Sequence, residues 1–224
     1  MNEQKKLKYP CLILDHDDTT VNSTATVHYP CFVEYMTEHF PKVHLTLEDY
    51  FRGNFDPGVV KLFTEICGMT EAEMLDEEAY WKEYTRTHSA QAYDGIREIL
   101  EEQKRRGGRI CVISHSFTEN ILRDYRVNGL PEPDAVYGWE YPPEQRKPSP
   151  WPLREIMRKF GYAPGEMLVV DDLKPGFDMA KAVNVPFAAA GWANDIPEIE
   201  QFMRKYCERY FKTVAELRCF LFGE

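Results

Sequence analysis

The stretch Cys11-Leu12-Ile13-Leu14-Asp15-His16-Asp17-Asp18-Thr19 joins four apolar residues to a run of acidic ones. A short, continuous apolar run predicts a β-strand buried on both faces, here from Leu7 to Leu14. Asp15 and Asp17 are two residues apart, so in an extended chain their carboxylates project to the same side. The sequence therefore predicts a buried strand that delivers paired carboxylates at its carboxyl end.

Downstream of Tyr93, strand-like and helical patterns alternate. Apolar runs predict strands at 109–113, 135–137, 167–170 and 185–189, with amphipathic helical patterns between them and two more at the C-terminal end. Strands that alternate with helices at this spacing are typical of a parallel sheet covered by helices on both faces. The predicted fold class is therefore α/β, with a Rossmann-like parallel sheet as its core.

The segment between the first strand and Tyr93 has a different, all-helical pattern. Apolar residues recur every three or four positions from Tyr29 to Phe40, and Thr70-x-x-Glu73 is a capping-box signature that predicts the start of another helix. Since these helices interrupt the strand–helix alternation, we expect an inserted helical cap domain at residues 20–90. The catalytic core would then consist of residues 1–19 and 91–224.

Composition limits the classes of partner. The 224 residues carry 37 Asp and Glu against 27 Lys and Arg, a net charge of −10, which argues against a nucleic-acid backbone as the main partner. The apolar runs are too short to predict a membrane span, and the first residues do not have the pattern of a signal peptide. The six cysteines form no Cys-x-x-Cys pair, so we expect reduced cysteines in a cytoplasmic protein. The oligomeric state is not indicated.

Polar residues follow several predicted strands at the point where each strand ends. Besides Asp15 and Asp17, these are Ser114 and the pair Asp171-Asp172, and Lys147 lies on a loop that leads out of a predicted strand. Ligands of open parallel sheets bind at the carboxyl ends of the strands, so we expect these side chains to meet. Several carboxylates in one place repel each other unless a cation is present, and their oxygens suit Mg²⁺.

This set of residue types can transfer a phosphoryl group. A carboxylate in line with phosphorus acts as a nucleophile, a second carboxylate exchanges protons with the leaving group and water, and hydroxyl and ammonium groups bind the transferred oxygens. Taken alone, Asp15 and Asp17 could equally be turn or capping residues. Their significance depends on the other segments, which follow in order along the chain.

With these segments in view, the chain resembles the haloacid dehalogenase (HAD) superfamily of phosphatases with a helical cap, of the phosphoglycolate phosphatase and β-phosphoglucomutase type. The resemblance covers nearly the whole chain and rests on four motifs in the family's order. The motifs are Leu12 to Thr19 with its Asp-x-Asp-x-Thr pattern, Val112-Ile113-Ser114, Arg146-Lys147-Pro148, and Leu168-Val169-Val170-Asp171-Asp172.

The resemblance implies a role for each residue. Asp15 would be the nucleophile and Asp17 the general acid and base. Ser114, His115 and Lys147 would bind the phosphoryl group of a small phosphorylated metabolite. Asp15, Asp17 through its backbone carbonyl, Asp171 and Asp172 would hold Mg²⁺, with the principal ligand of the last pair left open. Residues 50–54 resemble the family's specificity loop, which makes Arg52 and Asn54 candidates for substrate selection, together with His16.

The sequence departs from the family pattern at four positions, and two other functions remain open. His16 stands where an apolar residue is more common, and His115 where an Asn is common. Asp18 replaces the usual glycine after the second aspartate, and Gly176 stands where many relatives have an acidic residue. The leading function is hydrolysis of a phosphate monoester. A sugar phosphomutase of the β-phosphoglucomutase kind would use the same catalytic residues, and a regulatory binding protein would keep the fold with weak or no catalysis.

Overall fold

A six-stranded parallel sheet forms the centre of the protein. The computed structural model of the chain describes residues 7–223, and the strand order in its sheet is β3-β2-β1-β4-β5-β6. The strands are β1 (Cys11–Leu14), β2 (Arg109–Ile113), β3 (Ala135–Tyr137), β4 (Met167–Asp171), β5 (Phe187–Ala190) and β6 (Arg209–Phe211). The α/β class predicted from the sequence is confirmed.

The position of β1 explains why its four residues are all apolar. It lies between β2 and β4, and each of its residues is fully buried. The register pairs Leu14 with Val112 on one side and with Val170 on the other. The Asp15 amide continues this ladder by donating to the Val170 carbonyl oxygen at 2.9 Å. The carboxyl ends of the three central strands therefore meet at the same edge.

The pleat of β1 divides the core into two apolar layers. Cys11 and Ile13 pack toward one layer and Leu12 and Leu14 toward the other, because successive side chains of a strand point to opposite faces. The first layer is covered by α7 (Trp151–Phe160), α8 (Lys174–Lys181) and α9 (Pro197–Tyr206), and the second by α5 (Ile96–Arg105), α6 (Thr118–Val127) and α10 (Val214–Phe222).

The helices between β1 and α5 have an apolar core of their own. They are α1 (Tyr29–His39), α2 (Leu47–Phe55), the short α3 (Val59–Lys61) and α4 (Glu71–Thr87), with π-helical turns at Thr24–His28 and Leu62–Ile66. Phe32, Tyr35, Leu62 and Phe63 are buried together in this core. Phe51 and Phe55 of α2 pack instead against the sheet layer. The exact cap boundaries, 20 and 90, stay a prediction.

One local expectation was wrong, and one short strand was not predicted. Residues 50–54 belong to helix α2 rather than to a loop, because Thr46 and Asp49 form a capping box that starts this helix. Gly53 is accommodated inside α2 since a Cβ there would lie 2.5 Å from Leu62 Cδ1, so the glycine permits close packing. The short edge strand β6 was not foreseen, because three residues give too little alternation to recognise.

The cysteines form no disulfide bonds, and the helices are not of the membrane-spanning kind among the described residues. All six cysteines are free, and the Sγ atoms of buried Cys11 and Cys111 are 4.0 Å apart. Within residues 7–223, no helix combines the length and the apolar character needed to cross a membrane.

Candidate active site

A buried ion-pair network follows the carboxyl ends of β1 and β4. Lys147 Nζ lies 2.9 Å from Asp15 Oδ1 and 2.7 Å from Asp171 Oδ2, and all three side chains are almost completely buried. Burial alone would lower the pKa of Lys147, but the two carboxylates raise it above its usual value. The ammonium group therefore stays charged and ties the loop before α7 to the sheet edge.

A third buried carboxylate, Asp172, leaves this network with an excess of negative charge. Oxygen atoms of Asp15, Asp171 and Asp172 all lie within 4.8 Å of one another. Burial and mutual repulsion raise the pKa values of Asp15 and Asp172 well above the usual range, although Lys147 opposes the shift. One ammonium group does not balance three carboxylates, so the site fits a divalent cation with a preference for oxygen ligands.

Asp171 and Asp172 differ in how many of their carboxylate oxygens already accept a hydrogen bond. Asp171 accepts from the Leu173 amide at 2.8 Å and from Lys147, so both of its oxygens have donors. Asp172 Oδ1 accepts from the Thr19 hydroxyl at 3.3 Å, whereas its buried Oδ2 has no hydrogen-bond partner among residues 7–223. Asp172 thus offers the free oxygen for a metal ion, while Asp171 mainly positions Lys147.

Asp17 lies apart from this carboxylate group. Its Oδ1 accepts from the Ser23 hydroxyl at 2.7 Å and from His28 Nε2 at 2.8 Å. Its Oδ2 accepts from the hydroxyls of Ser114 at 3.0 Å and Ser116 at 2.7 Å. Burial alone would raise the pKa of Asp17, but the interactions with His28 and Ser116 hold it well below the usual range. Asp17 is therefore an ionised carboxylate surrounded by donors.

The helical insertion supplies the most unexpected of these donors. His28 ends the first π-helical turn, and its Nδ1 accepts from the Trp81 indole N–H at 3.0 Å. Because an indole nitrogen can only donate, this contact leaves the His28 proton on Nε2, which faces Asp17. Trp81 on α4 thereby fixes the tautomer in which His28 donates to Asp17.

The residues after β2 contact two different parts of the site: Ser114 and Ser116 bond to Asp17, and His115 bonds to the loop that carries Lys147. Ser114 Oγ donates to Asp17 and accepts from the Ser116 amide at 3.0 Å, so this hydroxyl supports Asp17 as the structure stands. His115 Nε2 donates to the Lys147 carbonyl oxygen at 3.0 Å. Burial, followed by repulsion from Lys147, lowers the pKa of His115 to about 4, so its ring is neutral at pH 7.

The three candidates for substrate selection have different positions. Asn54 lines the cleft above Asp15, and its side-chain amide donates to the Tyr50 carbonyl oxygen at 2.8 Å. Arg52 is partly exposed outside the cleft lining and pairs with Glu48, with longer contacts to Asp49 and Glu198. His16 is buried behind the sheet edge, where its Nε2 lies 3.2 Å from Asp124 Oδ2.

Asp18 adopts the backbone conformation that the family's glycine would favour. Its φ is +56°, in the left-handed region, which aspartate tolerates better than most residues. Its Oδ1 accepts from the Thr24 amide at 3.2 Å, which links the turn to the start of the insertion. Burial, together with the charge of Asp17, raises the pKa of Asp18 to about 7.

One cleft connects the buried carboxylates with the helical insertion. It has a volume of about 920 Å³ including its open mouth, with Asp15, Asp17, Lys147 and Asp172 in its lining. Sequence reasoning had missed His28, Ser116, Trp81, Trp139, Glu77 and Glu78, which all line it too. Ser116 could have been found, since it follows Ser114 by two positions. The others reach the cleft only through the packing of the insertion on the core.

The space around Asp171 predicts the effect of a side chain at Gly176. A Cβ there would lie 2.0 Å from Asp171 Oδ2, so alanine must displace the carboxylate from Lys147. We expect Gly176→Ala to lower the free energy of unfolding by about 1–3 kcal/mol, measured by urea denaturation. The matched control is Gly165→Ala, whose Cβ would meet nothing within 4 Å. Equal stabilities of the two variants would contradict the assigned packing.

Comparisons with known proteins agree with the fold. A protein from Bacteroides fragilis described as a haloacid dehalogenase-like hydrolase superposes with a TM-score of 0.78 at 22% identity, covering 94% of this chain and 100% of that one. A Lactobacillus plantarum protein described as a phosphoglycolate phosphatase gives a TM-score of 0.74 at 19% identity, with coverages of 94% and 98%. A mutant of CbbY from Rhodobacter sphaeroides, in complex with xylulose-(1,5)-bisphosphate, gives 0.70 at 18%, with coverages of 93% and 96%.

Sequence comparison assigns the family. No curated protein sequence matches the chain at a significant level. The sequence model of the family described as haloacid dehalogenase-like hydrolase matches residues 12–190, which include all four motifs and most of the chain. The chain therefore belongs to the haloacid dehalogenase-like hydrolase family.

Proposed function

We propose that this protein is a Mg²⁺-dependent phosphatase that hydrolyses a small phosphate monoester through an aspartyl-phosphate on Asp15. The observation that carries the proposal is the position of Asp15 in the cleft, 2.9 Å from the Lys147 ammonium and beside the unpartnered Oδ2 of Asp172. Lys147 keeps the Asp15 carboxylate oriented, and the excess of carboxylates explains the need for a metal ion.

The metal ligands would be Asp15, Asp171 and Asp172, with Asp172 providing the free oxygen. The backbone carbonyl of Asp17 remains a further proposed ligand. When bound, Mg²⁺ would offset the negative charge of the carboxylates and of the phosphoryl oxygens. Lys147 shares this task, since its ammonium group lies where the transferred oxygens would approach Asp15.

The proposed reaction has two steps, in which Asp15 carries the phosphoryl group and Asp17 exchanges protons. An Asp15 oxygen attacks phosphorus, and the bond from phosphorus to the ester oxygen breaks. The leaving oxygen takes up a proton from the protonated form of Asp17, which acts as the general acid. Water then attacks the phosphorus of the aspartyl-phosphate, and the bond to the Asp15 oxygen breaks. The ionised form of Asp17 left by the first step would accept the proton from this water, and the lowered pKa of Asp17 favours that form.

The helical insertion would act as the cap of this site. It contributes Asn54, His28 and Trp81 to the cleft, while the core contributes the carboxylates. A cap in this place can exclude bulk water during phosphoryl transfer and select the leaving group. We further propose that the protein works in the cytoplasm, which is supported by its six free cysteines.

The charges in the cleft favour hydrolysis over the phosphomutase alternative. Conversion of a sugar 1-phosphate to a 6-phosphate passes through a molecule with two phosphate groups, which needs cations at both ends of the cleft. Among the lining residues that the structure describes, Lys147 is the one Lys or Arg, and it serves Asp15. A regulatory protein without catalysis is disfavoured by the complete set of catalytic residue types.

Removing the nucleophile tests the mechanism. We expect Asp15→Asn to lower kcat for phosphate release by at least about 10³-fold, because the amide is nearly isosteric but not nucleophilic. The measurement is steady-state phosphate release from a panel of phosphorylated metabolites in the presence of Mg²⁺. Asp94→Asn, an exposed change outside the cleft, serves as the matched control. Near-native turnover by the Asp15 variant would refute the covalent mechanism.

Metal removal tests the carboxylate group separately from turnover. We expect EDTA to abolish phosphate release and excess Mg²⁺ to restore it. Mg²⁺ should also raise the Tm of the wild-type protein, because a ligand that binds only the folded state stabilises it. In Asp172→Asn, which loses the free oxygen, this rise in Tm should shrink. A Tm rise of equal size in both proteins would show that the metal binds elsewhere.

A sugar phosphate distinguishes hydrolase from mutase. We expect incubation with β-glucose 1-phosphate to yield free phosphate or no reaction, since no second cationic position is available among the described lining residues. Product analysis by phosphorus NMR resolves free phosphate from the 6-phosphate. Accumulation of glucose 6-phosphate would favour the mutase instead.

A further inference from the structure

The cap side of the cleft is aromatic and acidic. Helix α4 turns Glu77, Glu78 and Trp81 toward it, since residues three and four positions apart share one helix face. Trp139, from the loop after β3, meets Trp81 edge to face with ring centroids 6.2 Å apart. Tyr50 of α2 adds another aromatic ring to the lining. Together, Glu77, Glu78, Trp81, Trp139 and Tyr50 form what we call the cap wall. It would contact the part of the substrate that lies beyond the phosphoryl group.

The side chains of the two glutamates have no direct cationic partner among residues 7–223. Neither side chain makes a hydrogen bond or an ion pair there, although both are partly buried. Burial, with the repulsion of Glu78 added, raises the pKa of Glu77 to about 7, and the nearby His28 only partly offsets this. Two carboxylates thus line the cleft without a fixed countercharge.

Arg146 and Lys147, two cations of the described chain, are engaged with other groups. The Arg146 guanidinium stacks on Trp139, 3.9 Å from the ring centroid, and its Nε donates to the Tyr141 carbonyl oxygen. It attracts Glu78 electrostatically but is not part of the cleft lining. Lys147 is held by Asp15 and Asp171 at the opposite end. A cationic ligand would therefore meet two carboxylates and the indole of Trp81.

We propose that the natural substrate is the phosphate monoester of an amino alcohol, with an ammonium group that binds between Glu77, Glu78 and Trp81. The proposal rests on the phosphatase function and names its substrate class. A cation is attracted by carboxylates and by the faces of aromatic rings, most strongly by tryptophan. A leaving group with a carboxylate or a second phosphate would instead be repelled by both glutamates.

This specificity differs from that suggested by the names of the structural relatives. Xylulose-(1,5)-bisphosphate and phosphoglycolate both carry a second anionic group. Such a group would need a cation at the cap end of the cleft, and none of the described lining residues there is Lys or Arg. The shared fold is therefore combined here with a wall of opposite charge preference.

A pair of isosteric esters isolates the contribution of the positive charge. Phosphocholine and 3,3-dimethylbutyl phosphate have the same shape, but the second has carbon in place of the ammonium nitrogen. We expect kcat/KM of the wild-type enzyme with Mg²⁺ to be at least about tenfold higher for phosphocholine. The kcat/KM for phosphoethanolamine should also exceed that for 3,3-dimethylbutyl phosphate, which lacks the positive charge. The kcat/KM for 2-phosphoglycolate should be the lowest. A preference for phosphoglycolate, or equal values for the isosteres, would overturn the proposal.

Substitutions assign the preference to the two glutamates. Glu77→Gln and Glu78→Gln should each reduce the ratio of kcat/KM for phosphocholine to that for the neutral isostere by about three- to tenfold. Glu71→Gln, an exposed change on the same helix, should leave the ratio unchanged. An unchanged ratio in both cleft variants would contradict the assigned contacts.

A binding measurement tests the proposed ligand class independently of the proposed phosphatase activity. Calorimetric titration of the Asp15→Asn protein with the two isosteric esters measures affinity without turnover. If phosphocholine binds more tightly but no ester is hydrolysed by the wild-type enzyme, the ligand class stands and the phosphatase function fails. If esters are hydrolysed without a preference for the cation, the phosphatase function stands and the present proposal fails.

Discussion

The position of Lys147 between Asp15 and Asp171 is the constraint on which the rest of the site depends. A buried ammonium group is costly unless carboxylates surround it, and buried carboxylates are costly unless a cation is near. The parallel register of β1 with β4 satisfies both needs, because it brings the ends of the two strands level. The loop that precedes α7 is thereby tied to the sheet edge.

The same network leaves an excess of negative charge that fits a bound cation. Three buried carboxylates share one ammonium group, and the remaining negative charge appears as raised pKa values for Asp15 and Asp172. The missing side chain at Gly176 leaves the space that the Asp171 carboxylate occupies beside Lys147. Asp172 is left with the unpartnered oxygen, so its carboxylate is more available to a metal ion than that of Asp171.

The sequence predicted the features that depend on local pattern. The buried strands were recognised from their apolar runs, and Asp15, Lys147 and Asp172 from their places after strands. The cleft contacts of His28, Trp81 and Glu77 could not be predicted, because they depend on how the insertion packs against the core. Arg52 was selected for its charge and its place in the cap, but Glu48 lies one helical turn away and pairs with it at the surface.

Because of these unpredicted residues, the two ends of the cleft differ in electrostatic charge. At the core end, Lys147 and the metal position attract a phosphate group. At the cap end, Glu77 and Glu78 face the cleft without a countercharge from the described chain. Because a ligand must match both ends at once, electrostatics favours a molecule that is negative at the phosphate and positive a few bonds away. In the proposed function, the catalytic motifs would define the reaction, and the charge of the cap wall would decide which phosphate ester undergoes it.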